Sequence, residues 1–134
     1  MEDKGLILDG IGICRFCGQA LAVKPTPGET PEEAATEVCD CSAAKDFRRR
    51  RERIARSSEM IGTLFAGEDE KFDVRPIPQE TAELLRAAAV LAIDGKLSKL
   101  IVQIGGICKA EIATGGKGEI KVRRVEGRTL RAEE

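Results

Sequence analysis

Cys14-Arg15-Phe16-Cys17-Gly18-Gln19, answered by Cys39-Asp40-Cys41-Ser42 with twenty-one residues between Cys17 and Cys39, sets two close cysteine pairs in one short stretch of chain. One such pair cannot complete a tetrahedron of soft ligands, whereas two can. The first pair has the form of a knuckle, a tight turn whose two thiolates face one point. Gly18 suits that turn because it tolerates positive φ and lets backbone N–H groups aim at sulfur. The second pair stands just before Ser42, the natural N-cap of a helix, where unpaired N–H groups and the positive end of the dipole favour thiolate. Knuckle first and helix second is the order of a treble clef. The expected centre is one structural Zn²⁺ on Cys14, Cys17, Cys39 and Cys41. Iron, an iron–sulfur cluster, and unmetallated or disulfide-forming cysteines are the alternatives. Rubredoxin-like iron expects C-x₂-C twice with aromatic neighbours, but the second pair is C-x-C and only Phe16 is close, which favours zinc. Four thiolates close the shell and leave no position for substrate or activated water, so the metal's role is structural.

Outward from the pairs, 20–23 reads as a strand and 25–30 as a Pro/Gly/Thr loop. Thr30-Pro31-Glu32-Glu33 combines an N-cap, Pro at the first helical position and Glu three residues on, predicting a short helix over 31–37. From Ser42, apolar residues recur at Ala43/Ala44, Phe47, Ile54, Ile61 and Leu64/Phe65 until Gly67, the stripe of one long amphipathic helix. On the face opposite Phe47 and Ile54, Arg49, Arg53 and Arg56 fall in line. They are either a solvated face, partly paired through Glu52 to Arg56, or a contact ridge for phosphates or an acidic protein surface. No aromatic residue interleaves with them to stack on unpaired bases.

An extended connector follows over 68–78, where Pro76 and Pro78 resist helix and Phe72, Val74 and Ile77 can pack along a surface. A helix is predicted over 79–93, with Leu84, Ala88 and Leu91 as the stripe that faces a sheet. Three strands, 99–104, 107–114 and 119–125, are separated by Gly105-Gly106 and Gly115-Gly116-Lys117-Gly118, the turns antiparallel hairpins need. Leu100, Val102, Ile104, Cys108, Ala110, Ile112, Ile120 and Val122 share the covered face, with Lys109, Glu111, Lys121 and Arg123 opposite. Cys108 is thereby a core thiol, and the tail beyond Val125 is expected to fray. The fold class is α+β in three parts: a zinc lobe and long helix over 1–67, the connector, and a helix on a three-stranded antiparallel sheet over 79–134.

Composition narrows the chemistry. The 134 residues include no histidine, which removes Ser-His-Asp and Cys-His catalysis and mixed Cys/His metal sites, and neither glycine pair matches a phosphate-binding loop. No enzymatic activity and no small-molecule substrate are expected. No secretory signal or membrane span is read, so a cytoplasmic protein with reduced thiols is expected. Aromatics are 3% of the chain, so its cores must be aliphatic, and a lobe of about 40 such residues needs a staple. Charge is uneven: residues 1–40 carry three basic and eight acidic groups, 41–94 ten of each, and 95–134 nine basic and five acidic.

The knuckle, the acidic Glu32-Glu33-Ala34-Ala35 helix and Cys39-Asp40-Cys41 together resemble small Cys₄ zinc-ribbon proteins of phages and prophages of Gram-positive bacteria. The resemblance covers about the first half of the chain and carries over the four metal ligands. It implies a mobile-element protein that binds a host or phage macromolecule. The expected partner is therefore a protein or a nucleic-acid backbone. Sequence-independent DNA- or RNA-binding regulation is the first alternative function, and a small iron-binding redox protein is the second. The stripe along 42–65 needs more cover than the short lobe offers, which allows a homodimer through that helix.

Overall fold

The computed structural model describes residues 10–67 and 73–134. Residues 5–9 of the apolar stretch 5–14, and residues 68–72 of the connector with Phe72 among them, lie outside the described residues. The chain forms two compact units, Met1–Arg51 and Glu52–Glu134.

In the first unit, β1 (Ile11–Ile13) and β2 (Ala20–Ala22) pair antiparallel, with Gly12 opposite Leu21. The knuckle turns the corner between them. Gly12 is required for packing: a Cβ there would lie 1.9 Å from the carbonyl oxygen of Pro31, so only glycine lets the next helix lie against the hairpin. That helix, α1 (Pro31–Val38), starts on the capping box the sequence signals. The Glu33 N–H donates to Thr30 Oγ1 at 3.1 Å, and the Thr30 N–H donates to Glu33 Oε1 at 2.8 Å. α1 buries Ala34, Ala35 and Thr36. The next helix, α2 (Ser42–Phe65), runs unbroken, its first turns in this unit and the remainder in the second.

The second unit holds the rest of α2, α3 (Gln79–Ile93) and an antiparallel sheet in the order β3 (Lys99–Ile104), β4 (Cys108–Thr114), β5 (Ile120–Val125), β6 (Thr129–Glu133). The sheet thus has four strands where three are read from the sequence, and the tail is ordered by pairing with β5. Thr129-Leu130-Arg131-Ala132-Glu133 has few β-branched residues, which hides it from propensity. Its alternation nonetheless places Leu130 and Ala132 on the covered face, and Gly127, at φ +97°, makes the turn. Leu100, Ile112, Val122 and Ala132 fall in one register row across all four strands.

The core of this unit joins Met60, Ile61, Leu64 and Phe65 of α2, Ile77, the inner face of α3, and Ile104, Cys108, Ala110, Ile112, Ile120 and Val122 of the sheet. On α3 the buried residues are Ala82, Leu85, Ala88, Ala89 and Ala92. The stripe expected at Leu84, Ala88 and Leu91 is thus rotated: Leu84 is 52% and Leu91 44% exposed. Four alanines bring the α3 backbone close to its neighbours, and Leu85 alone supplies bulk. Arg124 completes the core from β5. Fully buried, it donates to the Leu64 carbonyl at 2.8 Å and the Arg75 carbonyl at 2.9 Å, with its guanidinium 5.5 Å from the Phe65 ring centre. It satisfies a carbonyl at the end of α2 that has no partner within the helix. No helix among the described residues is long and apolar enough to cross a membrane.

Candidate metal centre

The knuckle is closed by backbone bonds: the Cys14 N–H donates to the Gln19 carbonyl and the Gly18 N–H to the Cys14 carbonyl, both at 3.0 Å. Gly18 sits at φ +77°, the left-handed conformation its position demands. Cys14 and Cys17 are thereby presented on one side. The end of α1 and the start of α2 bring Cys39 and Cys41 to the same place, and all four Sγ atoms lie within 4.8 Å of one another. Cys14 Sγ is 3.8 Å from Cys41 Sγ, and Cys17 Sγ is 3.5 Å from Cys39 Sγ. A tetrahedral tetrathiolate with metal–sulfur bonds of about 2.3 Å has sulfur–sulfur edges of about 3.8 Å, so the spacing fits a metal ion at the centre. Two separate disulfides would need each pair at about 2.05 Å.

The surroundings are those of sulfur ligands. Backbone N–H groups of Phe16 and Ala44 donate to Cys14 Sγ at 3.4 Å and Cys41 Sγ at 3.3 Å, the latter from the first turn of α2. Cys14, Cys39 and Ala44 are buried together, with Leu21 and Cys41 packed on them, while Cys17 faces out. The N–H of Cys17, followed in effect by that of Phe16, holds the Cys14 thiol down at about 6 against the opposing effect of burial. Cys39 goes the other way, to about 12: the Cys41 N–H favours its thiolate, but burial and the three neighbouring sulfurs outweigh that help. Four thiolates this close together repel one another unless a cation neutralises them. That is the chemistry of a metal-ligand set.

A second layer fixes this geometry, through residues the spacing argument does not reach. Buried Thr36 accepts the Arg15 N–H at 3.1 Å and donates to the Glu32 carbonyl at 2.8 Å, tying the knuckle to α1. Arg48 caps the same helix, donating to the Thr36 carbonyl at 2.7 Å. Phe47 lies 5.5 Å from Phe16 between ring centres and has the guanidiniums of Arg15 and Arg51 each 5.6 Å from its own. Arg51 also grips Glu37, whose carboxyl is held below the usual range by that hydrogen bond. Position in the helix is the signal: Phe47, Arg48 and Arg51 follow Cys41 by the one to three turns that return to the side of α1.

The three arginines of the expected ridge have different surroundings. Arg49 is exposed beside Asp46, one turn back, at 3.1 Å. Arg53 is engaged within the second unit: it forks onto Glu134 at 2.8 Å and donates to the Gly118 carbonyl at 2.6 Å. Arg56 is exposed. Cys108 is buried in the sheet core, where burial pushes its thiol up. No protein-family model, curated protein or solved structure matches the chain.

Proposed function

We propose that the protein is a zinc-stabilised, non-enzymatic interaction protein in which Zn²⁺ orders the first unit. The observation that carries this reading is the convergence of four sulfurs from a knuckle and a helix start at the spacing of one tetrahedral ion. Cys14, Cys17, Cys39 and Cys41 would all be ligands, and the ion would supply charge neutralisation and a cross-link rather than a reaction. A hairpin knuckle followed by a helix carrying the second pair supports a treble-clef-like description. The resemblance of this region to phage zinc-ribbon proteins supports a mobile-element origin and a macromolecular target. Arg49 and Arg56, exposed on α2, are the contact candidates of that helix, while Arg53 has a structural task. The apolar stripe of α2 is largely buried within the chain, at Ala44 in one unit and at Met60, Ile61, Leu64 and Phe65 in the other, which leaves little of it for a homodimer through this helix.

Elemental analysis of freshly purified protein tests the reading. One zinc per chain is expected, and a strong chelator should remove it and abolish the ordered structure of the first unit. Zinc far below one equivalent with the fold intact would overturn the proposal. A visible absorption band with iron in place of zinc would favour the redox alternative.

A further inference from the structure

The face of the sheet turned away from the core carries a charge pattern that folding does not use up. Its outward residues, read across the register, are Lys99, Ala113, Lys121 and Glu133; Ile101, Glu111, Arg123 and Arg131; Gln103, Lys109, Val125 and Thr129. Five cations stand against two carboxylates. Glu111, only 12% exposed, is bridged by Lys99 at 3.0 Å and by Arg123, and Lys99 first, then Arg123, keeps its carboxyl below the usual range. It fixes the Arg123 guanidinium on the face instead of removing the surplus. Lys121 makes only a loose ion pair, with Glu133 at 3.8 Å, and also faces Glu119, whose carboxyl is held mainly by backbone N–H groups. Among the described residues no carboxylate pairs with Lys109 or Arg131. Arg123 and Arg131 are direct cross-strand partners, an arrangement of like charges that Glu111 relieves only on the Arg123 side. A shallow cavity of about 480 Å³ opens there, lined by Lys121, Arg123, Arg131, Glu111 and Glu133 among others.

We infer that this outer face of the sheet is a docking surface for the phosphate backbone of a DNA duplex. Charge complementarity selects a polyanion, and the spread of the cations over four strands suits an extended one. On β5 the side chains of Lys121 and Arg123 recur about 7 Å apart along the strand, with Arg131 one strand away. An acidic protein is disfavoured because its docking needs desolvated aromatic or aliphatic anchors, and this face offers only Ile101 and Val125. Phosphates need no such anchors. Unpaired strands are disfavoured because no aromatic ring lies on the face to stack a base. The 2′-hydroxyls of RNA call for neutral polar partners, and with Gln103 spent on the Gly105 and Cys108 carbonyls the face offers them only Thr129, at its edge. The surface lies wholly in the second unit and does not depend on the metal reading.

The test uses the full chain, zinc-loaded, and a fluorescent DNA duplex of arbitrary sequence titrated by anisotropy at several salt concentrations. Binding should fall with salt at a slope of about −3 to −4 in log–log form. The triple variant Lys109→Gln, Lys121→Gln, Arg131→Gln should cut the slope by about 3 units and weaken binding at least about tenfold at low salt. These positions face out, so the melting temperature should stay near that of the unaltered protein. Four outcomes overturn the inference: no duplex binding by the unaltered protein; unchanged slope and affinity in the triple variant; the loss appearing instead in Arg49→Gln, Arg56→Gln; or tighter binding of single-stranded DNA, duplex RNA or polyglutamate than of duplex DNA. The metal proposal survives or fails separately, on zinc content.

Discussion

The two units solve the same problem with different means. The second gathers sixteen buried residues from α2, the connector, α3 and three of its strands into one aliphatic cluster. The first has two clusters of three, Cys14, Cys39 and Ala44 in one and Val23, Ala34 and Ala35 in the other. The second unit has a continuous core spanning helices and sheet, while the first has only six buried apolar side chains split between two clusters, too little for so small a lobe to stand on packing alone. A small lobe needs a cross-link, and the four sulfurs are placed to provide one. The sequence signal accordingly lies in cysteine spacing for one unit and in side-chain periodicity for the other.

The largest break in that symmetry should come from the metal. Removing zinc, or changing Cys39→Ser, should unfold the first unit outright, since a structural zinc contributes about 10–16 kcal/mol of apparent binding energy at neutral pH. Backbone NMR signals of Gly12, Ala35 and Ala44 should collapse to unfolded positions while those of Ile112 and Val122 stay put. Loss of both sets together would mean that the units do not differ in the way described.

Next in size is Arg124, the one charge buried in the second core. Arg124→Ala should cost about 3–5 kcal/mol in a denaturant melt, because the Leu64 and Arg75 carbonyls lose their donor and a cavity opens beside Phe65. Arg124→Met refills the volume without the hydrogen bonds and should recover part of the loss. A cost below about 1 kcal/mol for the alanine variant would mean that water takes over the role of the guanidinium.

Two adjacent leucines on α3 have opposite surroundings. Leu85→Ala should cost about 2–5 kcal/mol and Leu84→Ala less than about 1, because the first side chain is fully buried and the second half exposed. A larger cost for Leu84→Ala than for Leu85→Ala would return the helix to the orientation read from its sequence.

That pair also marks how far the sequence is legible. The helices at 31–37, 42–65 and 79–93 and the strand phases in 99–125 follow from caps, Gly turns and alternation, because each signal is local. The convergence of the cysteines follows from spacing and from the absence of any other soft ligand. The rotation of α3 does not, because Leu84, Leu85, Ala88, Ala89, Leu91 and Ala92 are apolar almost all round and the sheet decides which side it accepts. β6 was hidden by its charges. Arg124 sits among Lys and Arg neighbours in sequence and is distinguished only by parity with Ile120 and Val122. Thr36 and Arg48 gain their roles from contacts between α1 and its surroundings, which spacing within one helix does not encode.

The smallest effect concerns the polar edge of the second unit. Glu134 accepts the Arg53 fork and the Ile120 N–H, and the Arg53 hydrogen bond first, then the Ile120 N–H, lowers its carboxyl below the ordinary value of about 4.3, against burial. Between the lowered folded value and the ordinary one, the unfolded chain binds more protons than the folded chain. The stabilisation is therefore fully present above about pH 4.3 and is lost as pH falls through the folded value. Arg53→Gln should remove about 1–2 kcal/mol at pH 7 and partly flatten the acid limb of stability for the second unit, since it removes the larger cause of the shift and leaves the Ile120 N–H. Glu134→Gln should do the same, and the double variant should lose little more than either single one, because both remove one interaction. Denaturant melts from pH 7 to pH 3 on the four proteins check this. Additive losses would show that Arg53 has its main contact elsewhere, which would restore it beside Arg49 and Arg56 as a candidate for binding.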